Sequence, residues 1–159
     1  ESDYISLSYR LAILMPDQAD QIVAKQLSRI QNGDRRKEYS FVSPAVSPNK
    51  AVRDSVFQAL LIAENRRVEP WAASALSLLN DAKREQESIE YIRPAIEILQ
   101  EVQRTGDIFF PANWMRALLS GHHSKEARDE VDRFFADHPD YPPMLSNKIR
   151  QQADHLYLK

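Results

Sequence analysis

The sequence predicts an all-α fold, because few of its residues suit β-structure and its apolar residues recur at helical spacing. The 159 residues include only 3 glycines, and the tight turns of a β-sandwich or barrel often need glycine at positive φ. Threonine occurs once, whereas alanine and leucine are abundant, a balance that favours helix. No linker or shift in composition divides residues 1–159, so we expect a single helical domain.

Four helices are expected before residue 67. The first carries apolar residues on two adjacent faces and is expected to be buried nearly all round. Its apolar residues are Ile5, Leu7, Tyr9, Leu11, Ala12, Ile13 and Leu14. A second helix covers residues 19–30, and a shorter third one covers about 34–45. Ser47 followed by Pro48 indicates the N-cap and first residue of a fourth helix, whose apolar stripe ends near Arg66.

Prolines and polar caps mark where the later helices begin. Pro94 is expected to kink the apolar run 89–102 or to start a new helix there, because proline lacks the N–H that the preceding turn needs. The other predicted start signals are Glu69-Pro70, Pro111 before Trp114, Ser124, and the segment 139–143 before the last helix. The three glycines, Gly33, Gly106 and Gly121, follow predicted helix ends, where positive φ is common.

The spacing of these signals predicts how the helices are arranged. Helix-start prolines at 48, 70, 94 and 111 recur roughly every 17–24 residues, so two helices take about 40 residues, as in HEAT or armadillo repeats. Short connections make sequential helices antiparallel neighbours. We therefore expect about eight or nine helices, in antiparallel pairs stacked as an irregular HEAT/armadillo-like α-solenoid. A compact helical bundle is the alternative.

Composition excludes several classes of function. Lys and Arg total 21 against 23 Asp and Glu, and a net charge of −2 does not attract nucleic acid or an anionic membrane. No apolar run approaches the roughly 18 residues of a membrane span. We therefore expect no nucleic-acid partner and no membrane segment. The absence of cysteine excludes disulfides and thiol chemistry but leaves the cellular compartment undetermined.

No motif for catalysis or metal binding is present in the sequence. There is no glycine-rich phosphate loop, no G-x-S-x-G and no H-E-x-x-H. His122, His123 and Glu126 could in principle hold a metal ion, but they lie where one helix ends and the next begins, so the two imidazoles should point in different directions. An exposed turn is the favoured interpretation. We assign no catalytic residue and no metal ligand, and the residues alone predict a binding or structural domain.

Aromatic residues concentrate in the last third of the chain. They are Phe109, Phe110, Trp114, Phe134, Phe135 and Tyr141. The simpler interpretation is that they form the core of this part of the domain. The alternative is that some of them form a docking surface for another domain.

Three stretches of the chain resemble one protein family. They are Glu64–Trp71, Tyr91–Ala95 and Gln103–Pro111 with Trp114, and their order and spacing are similar to the C-terminal helical domain of aminopeptidase N-like zinc metallopeptidases, the gluzincins. The end of the chain adds Glu126-Ala127, Phe134-Phe135, Leu145, Lys148-Ile149 and Asp154–Leu156. The resemblance is best from about residue 44 onward.

The resemblance implies a piece of a larger, multidomain enzyme. In this family the zinc motif and the substrate-amine motif belong to an upstream catalytic domain, and neither motif occurs here. The chain also begins at Glu1 without an initiator methionine, as expected for an excised piece. The implied role is regional and non-catalytic: the domain closes over the catalytic cleft and walls the peptide-substrate chamber. The expected partners are the upstream catalytic domain and peptide substrates, with zinc in that missing domain.

Charged residues beside two helix ends are the candidate contacts to the chamber. They are Arg66, Arg67, Glu69, Arg104 and Asp107. An arginine there could bind a peptide carboxylate through its bidentate fork. The alternative is that these side chains cap helices or contact the missing domain. A second hypothesis for the whole chain is a HEAT-like scaffold that binds a protein or peptide partner.

Overall fold

The computed structural model describes residues 1–158, and every regular element in that range is helical. The α-helices are α1 (Ser2–Leu14), α2 (Ala19–Arg29), α3 (Gly33–Val42), α4 (Lys50–Leu60), α5 (Glu69–Leu79), α6 (Glu85–Ser88), α7 (Ile92–Glu97), α8 (Leu99–Thr105), α9 (Phe110–Leu119), α10 (Lys125–Asp137) and α11 (Pro143–Ala153). Short 3-10 segments are Pro16–Gln18, Ser43–Val46, Ala63–Arg66, Ala82–Arg84, Ile89–Tyr91 and Asp154–Tyr157. The all-α prediction is confirmed for this range.

The helices are more numerous and shorter than predicted. Eleven α-helical segments lie within residues 1–158, ten of them longer than the single turn Glu85–Ser88, against the eight or nine expected. The excess arises because the run from Ile89 to Thr105 is divided into a 3-10 turn, α7 and α8, with Pro94 in the first turn of α7. Of these described helices, none is both long and apolar enough to cross a membrane.

Two apolar clusters hold the helices together. The main core extends from α4 to α11, and Phe57, Leu76, Ile96 and Trp114 are fully buried in it. A separate, much smaller cluster joins α1 and α2 to the rest through Ala12, Ile13, Ala19 and Val46. The first two helices are therefore attached by less apolar packing than the other elements.

Three helices run side by side in the same direction. α5 packs against α9, and α9 packs against α11. At their starts, the Asp107 amide donates to Glu69 Oε2 at 2.9 Å. At their ends, His155 Nε2, which follows α11, donates to the carbonyls of Leu119 at 3.0 Å and His122 at 2.9 Å. Because α5 and α9 start side by side and α9 and α11 end side by side, the three helices are parallel neighbours.

Two predicted helix starts had different outcomes. Ser124 caps α10 as predicted, because its Oγ accepts from the Ala127 amide at 3.1 Å. The predicted Ser47 cap of α4 is wrong, since the cap is Asn49, whose Oδ1 accepts from the Ala51 amide at 2.9 Å. Ser47 Oγ instead accepts from the Asn49 amide. The short turn around Pro48 thus shifts the start of α4 by two residues.

The prediction of positive φ at the glycines is wrong. None of the three glycines has a positive φ; Gly33 begins α3 behind the cap Asn32, and Gly106 is extended. Gly121 is required for close approach, because a Cβ there would lie 2.1 Å from the backbone oxygen of Asn80. The ends of α5 and α9 therefore meet too closely for a side chain at residue 121.

The prediction that α1 is buried nearly all round is also wrong. The rest of the chain buries only Ser8, Ala12 and Ile13 of this helix. Leu7 remains 51% exposed and Leu14 49% exposed, and Tyr4 is exposed at the start of the helix. One apolar face of α1 thus packs on the domain while the adjacent face is open.

Candidate functional site

An open groove of about 440 Å³ lies between the parallel helices α5 and α9. It is lined by Glu69, Pro70, Ala73, Ser74 and Ser77 from α5, and by Phe110, Asn113, Arg116, Ala117 and Ser120 from α9 and its C-cap. We call this surface the α5–α9 groove. Most of its lining is small or polar, unlike the apolar core directly beneath it.

Helical spacing explains how the same two helices supply both core and groove. On α5, Pro70, Ala73, Ser74 and Ser77 recur at intervals of three or four residues and so share one face. The opposite face buries Ala72, Ala75, Leu76 and Leu79. On α9 the same spacing relates Asn113, Arg116 and Ser120.

The groove is negative at one end and positive further along. Glu69 lies in the first turn of α5, where the helix dipole favours a carboxylate, and it holds the Asp107 amide. Arg116 is exposed, and its guanidinium donates to Asn113 Oδ1 at 2.9 Å. Glu69 lies beside the start of α9, because its Oε2 accepts from the Asp107 amide, and Arg116 lies six residues after Phe110, the first residue of α9, or about 9 Å along the helix. An extended ligand with charges of both signs would match this separation.

A buried polar cluster lies where α5 and α9 end. His122 is fully buried, and its Nε2 lies 2.8 Å from Asn80 Oδ1. The Asn80 amide nitrogen donates to the Leu76 carbonyl, so Asn80 Oδ1 is the acceptor and His122 Nε2 carries the proton. His122 Nδ1 has no hydrogen-bond partner and lies 3.8 Å from Glu85 Oε1. Burial lowers the pKa of His122 to about 4, outweighing the attraction of Glu85.

Glu85 links α6 to the start of α10. Its Oε1 accepts from the backbone amides of His123 at 2.5 Å and Ser124 at 2.6 Å. Burial alone would raise the pKa of Glu85, but these amides and the nearby His122 outweigh it and hold the pKa below its ordinary value. The Glu85 carboxylate thus accepts hydrogen bonds at the N-terminus of α10, where the helix dipole favours a negative charge.

The histidines considered as metal ligands face different surroundings. His122 is buried, whereas His123 and Glu126 are exposed. Within residues 1–158, no group of three or more His, Asp or Glu side chains is arranged to hold a metal ion.

Arg66, one of the predicted chamber contacts, lies inside the fold. Only 3% of Arg66 is exposed, and its guanidinium donates to the Leu60 carbonyl at 2.8 Å and to Glu101 at 2.6 Å. It also lies over the Trp114 ring, 5.8 Å from the centroid. Arg66 therefore joins α4, α8 and α9, and a peptide could reach it only if these contacts opened.

The structure brings together two of the other predicted residues. Glu69 and Asp107 meet at the start of the groove through the hydrogen bond from the Asp107 amide. Asp107 Oδ1 also accepts from the Phe109 amide, which fixes the turn before α9. Arg67 and Arg104 are exposed and lie outside the groove lining.

The aromatic residues divide between core and surface. Phe110, Trp114 and Phe134 are buried in the main core, and Phe135 and Tyr141 pack against it. Phe109 is 71% exposed, next to Ile108 at 77%. These two exposed side chains lie immediately before α9 and the groove.

Sequence reasoning missed most of the groove residues. Arg116, Asn113 and the serines belong to no motif, and serine is common on helix surfaces. The available signal was their spacing, because polar residues at intervals of three or four interrupt two otherwise apolar helices.

Comparison with known proteins found no match: no protein-family model, no curated protein and no solved structure matches this chain.

Proposed function

We propose that this chain is the non-catalytic C-terminal domain of an aminopeptidase N-like zinc metallopeptidase. It closes over the catalytic cleft and walls the peptide-substrate chamber, and its α5–α9 groove faces the peptide. The observation that carries this proposal is the groove itself: an open channel lined by small side chains, with hydroxyl, amide and charged groups at separated points, built on two parallel helices. The family resemblance of segments 64–71, 91–95 and 103–114 supports it.

The helix arrangement supports the proposed irregular solenoid. In a solenoid of antiparallel helix pairs, alternate helices lie parallel in one layer and present a continuous surface. The parallel set α5, α9 and α11 matches such a layer, while α4 packs on α5 and α7 packs on both α9 and α10. A layer of this kind is suited to line a chamber with polar side chains.

Within the groove we assign the peptide carboxylate to Arg116. Its guanidinium is exposed and held in place by Asn113, whereas that of Arg66 is buried. The serines at 74, 77 and 120 offer hydroxyl groups to peptide amides along the floor. Arg67 and Arg104 remain candidate contacts at the chamber edge, and Glu69 with Asp107 shapes the negative end of the groove.

One observation favours the alternative, a HEAT-like scaffold. Ile108 and Phe109 are the most exposed pair of large apolar residues next to the groove, and such residues often anchor protein partners. A scaffold would bind its partner through Ile108 and Phe109 and would not need the polar side chains of the α5–α9 groove.

The first test is peptide binding by the chain itself. A peptide of about ten residues with a free carboxylate should shift the backbone amide signals of Ser74, Asn113 and Ser120, and Arg116→Gln should weaken its binding about tenfold. Arg133→Gln is the matched control, because Arg133 is exposed and donates to a residue three positions earlier, as Arg116 does, but lies outside the groove lining. Equal binding of the free and amidated peptides, or unchanged binding by Arg116→Gln, contradicts the assignment.

The sequence encoded upstream of Glu1 in the parent reading frame distinguishes the peptidase domain from the scaffold. The peptidase proposal requires an H-E-x-x-H motif with a downstream glutamate ligand encoded upstream of Glu1. A parent reading frame that encodes no such motif would reject the peptidase and leave the scaffold.

A further inference from the structure

The open face of α1 is part of a second groove, distinct from the α5–α9 groove. This α1–α2 groove, about 210 Å³ in volume, has Leu7 and Leu11 of α1 and Ile22 of α2 among its lining, with Tyr4 beside them. Leu7 and Tyr4 are 51% and 63% exposed. A helix with apolar residues on two faces is expected to be covered on both. The fold covers one of them.

The edge of this groove is basic. Lys25 and Arg29 lie one turn apart on α2 and line the groove, and both are exposed. Within residues 1–158, neither has a carboxylate within 4.0 Å. Glu1 lines an adjoining depression together with Arg29, and its carboxylate lies 3.9 Å from the guanidinium of Arg35. The groove therefore combines an apolar floor with two uncompensated positive charges along one side.

We propose that the α1–α2 groove binds an amphipathic helix of a partner polypeptide that carries carboxylates along the edge of its apolar face. The floor accepts apolar side chains spaced three or four residues apart, as in other helix-in-groove complexes. The carboxylates pair with Lys25 and Arg29. This site lies outside the α5–α9 groove and does not depend on the peptidase proposal.

A second copy of the chain is a poorer occupant. A two-fold contact through this face would place the same basic edge on both sides of the interface. Like charges brought together in this way oppose association. An acidic helix has the complementary charge.

The test uses two synthetic amphipathic helical peptides with identical leucine positions, one with glutamate and one with lysine beside the leucines. The glutamate peptide should bind the chain about fivefold tighter or more at low salt, as expected for two exposed ion pairs. The double substitution Lys25→Glu/Arg29→Glu should reverse this preference. Leu7→Asp, at a half-exposed position outside the core, should weaken both peptides about tenfold or more.

The control changes the net charge equally at a distance from the groove. Lys37→Glu/Lys83→Glu replaces two exposed cations that do not line the groove, and it should leave the preference intact. Four results would overturn the proposal: no binding of either peptide, equal binding of both, a preference that also reverses in the control, or concentration-dependent dimerisation abolished by Leu7→Asp. The last of these would assign the face to a second copy.

Discussion

Replacing Gly121 by alanine should lower the free energy of unfolding by about 3 kcal/mol, the upper range for inserting one carbon into a packed site. The added Cβ would lie 2.1 Å from the Asn80 backbone oxygen and 3.1 Å from the Ala82 amide nitrogen. Both atoms belong to backbone, so the ends of α5 and α9 must separate to accommodate it. Denaturant unfolding, analysed at constant m-value, measures the loss directly.

Gly33→Ala is the matched control for this substitution. No atom lies within 4 Å of a Cβ built on Gly33, and its φ is not positive. Since alanine suits the helix better than glycine, stability should be unchanged or rise by up to about 1 kcal/mol. Equal effects of the two substitutions would show that the contact between α5 and α9 is not the cause.

Acidification from pH 7.5 to 5.0 should cost the fold about 2 kcal/mol through His122 alone. The folded protein binds a proton at His122 only near pH 4, whereas the unfolded chain binds it near the ordinary value of 6.5. The unfolded state therefore holds more protons within this range, and stability falls as the pH falls. The contribution of His122 is complete above pH 6.5 and is lost as the pH approaches 4.

His122→Gln isolates this contribution from those of the other ionisable groups. Glutamine can still donate to Asn80 Oδ1 but does not titrate. The ionisable groups facing His122 are Glu85, His123 and His155, and they are retained in the variant. Thermal unfolding at several pH values should give a flatter pH dependence for the variant. Parallel curves for the two proteins would contradict the buried neutral state of His122.

Much of the fold could be predicted from the sequence, because local signals determine where helices begin. Ser124 caps α10, and Glu69-Pro70 and Pro111 lie in the first turns of α5 and α9. The cap of α4 is Asn49 and not Ser47, because either of these polar residues on the two sides of Pro48 could cap the helix, and only the turn geometry decides between them. Gly121 does follow a helix end, as predicted, but the reason is its close approach to the Asn80 backbone and not a positive φ. The sequence does not show that contact.

The candidate site was harder to predict than the fold. Charge beside a helix end singled out Arg66 and Glu69 equally, yet the structure buries Arg66 against Glu101 and leaves Glu69 at the groove. That difference depends on long-range packing of α8 and α9, which periodicity does not specify. Arg116 was not predicted, because the helix face that it shares with Ser120 forms a groove only when α5 packs beside α9.

Peptide hydrolysis by the full-length parent protein, which the proposed function makes a zinc aminopeptidase, tests the central claim most directly. The substrates are a short aminoacyl amide and peptides of increasing length, and the proteins are the wild type and Arg116→Glu. If the α5–α9 groove walls the chamber, the variant should hydrolyse the short amide normally and show a KM raised about tenfold for peptides long enough to reach the groove. Identical kinetics of the two proteins at every substrate length, or no zinc-dependent aminopeptidase activity in either protein, would contradict the proposed function.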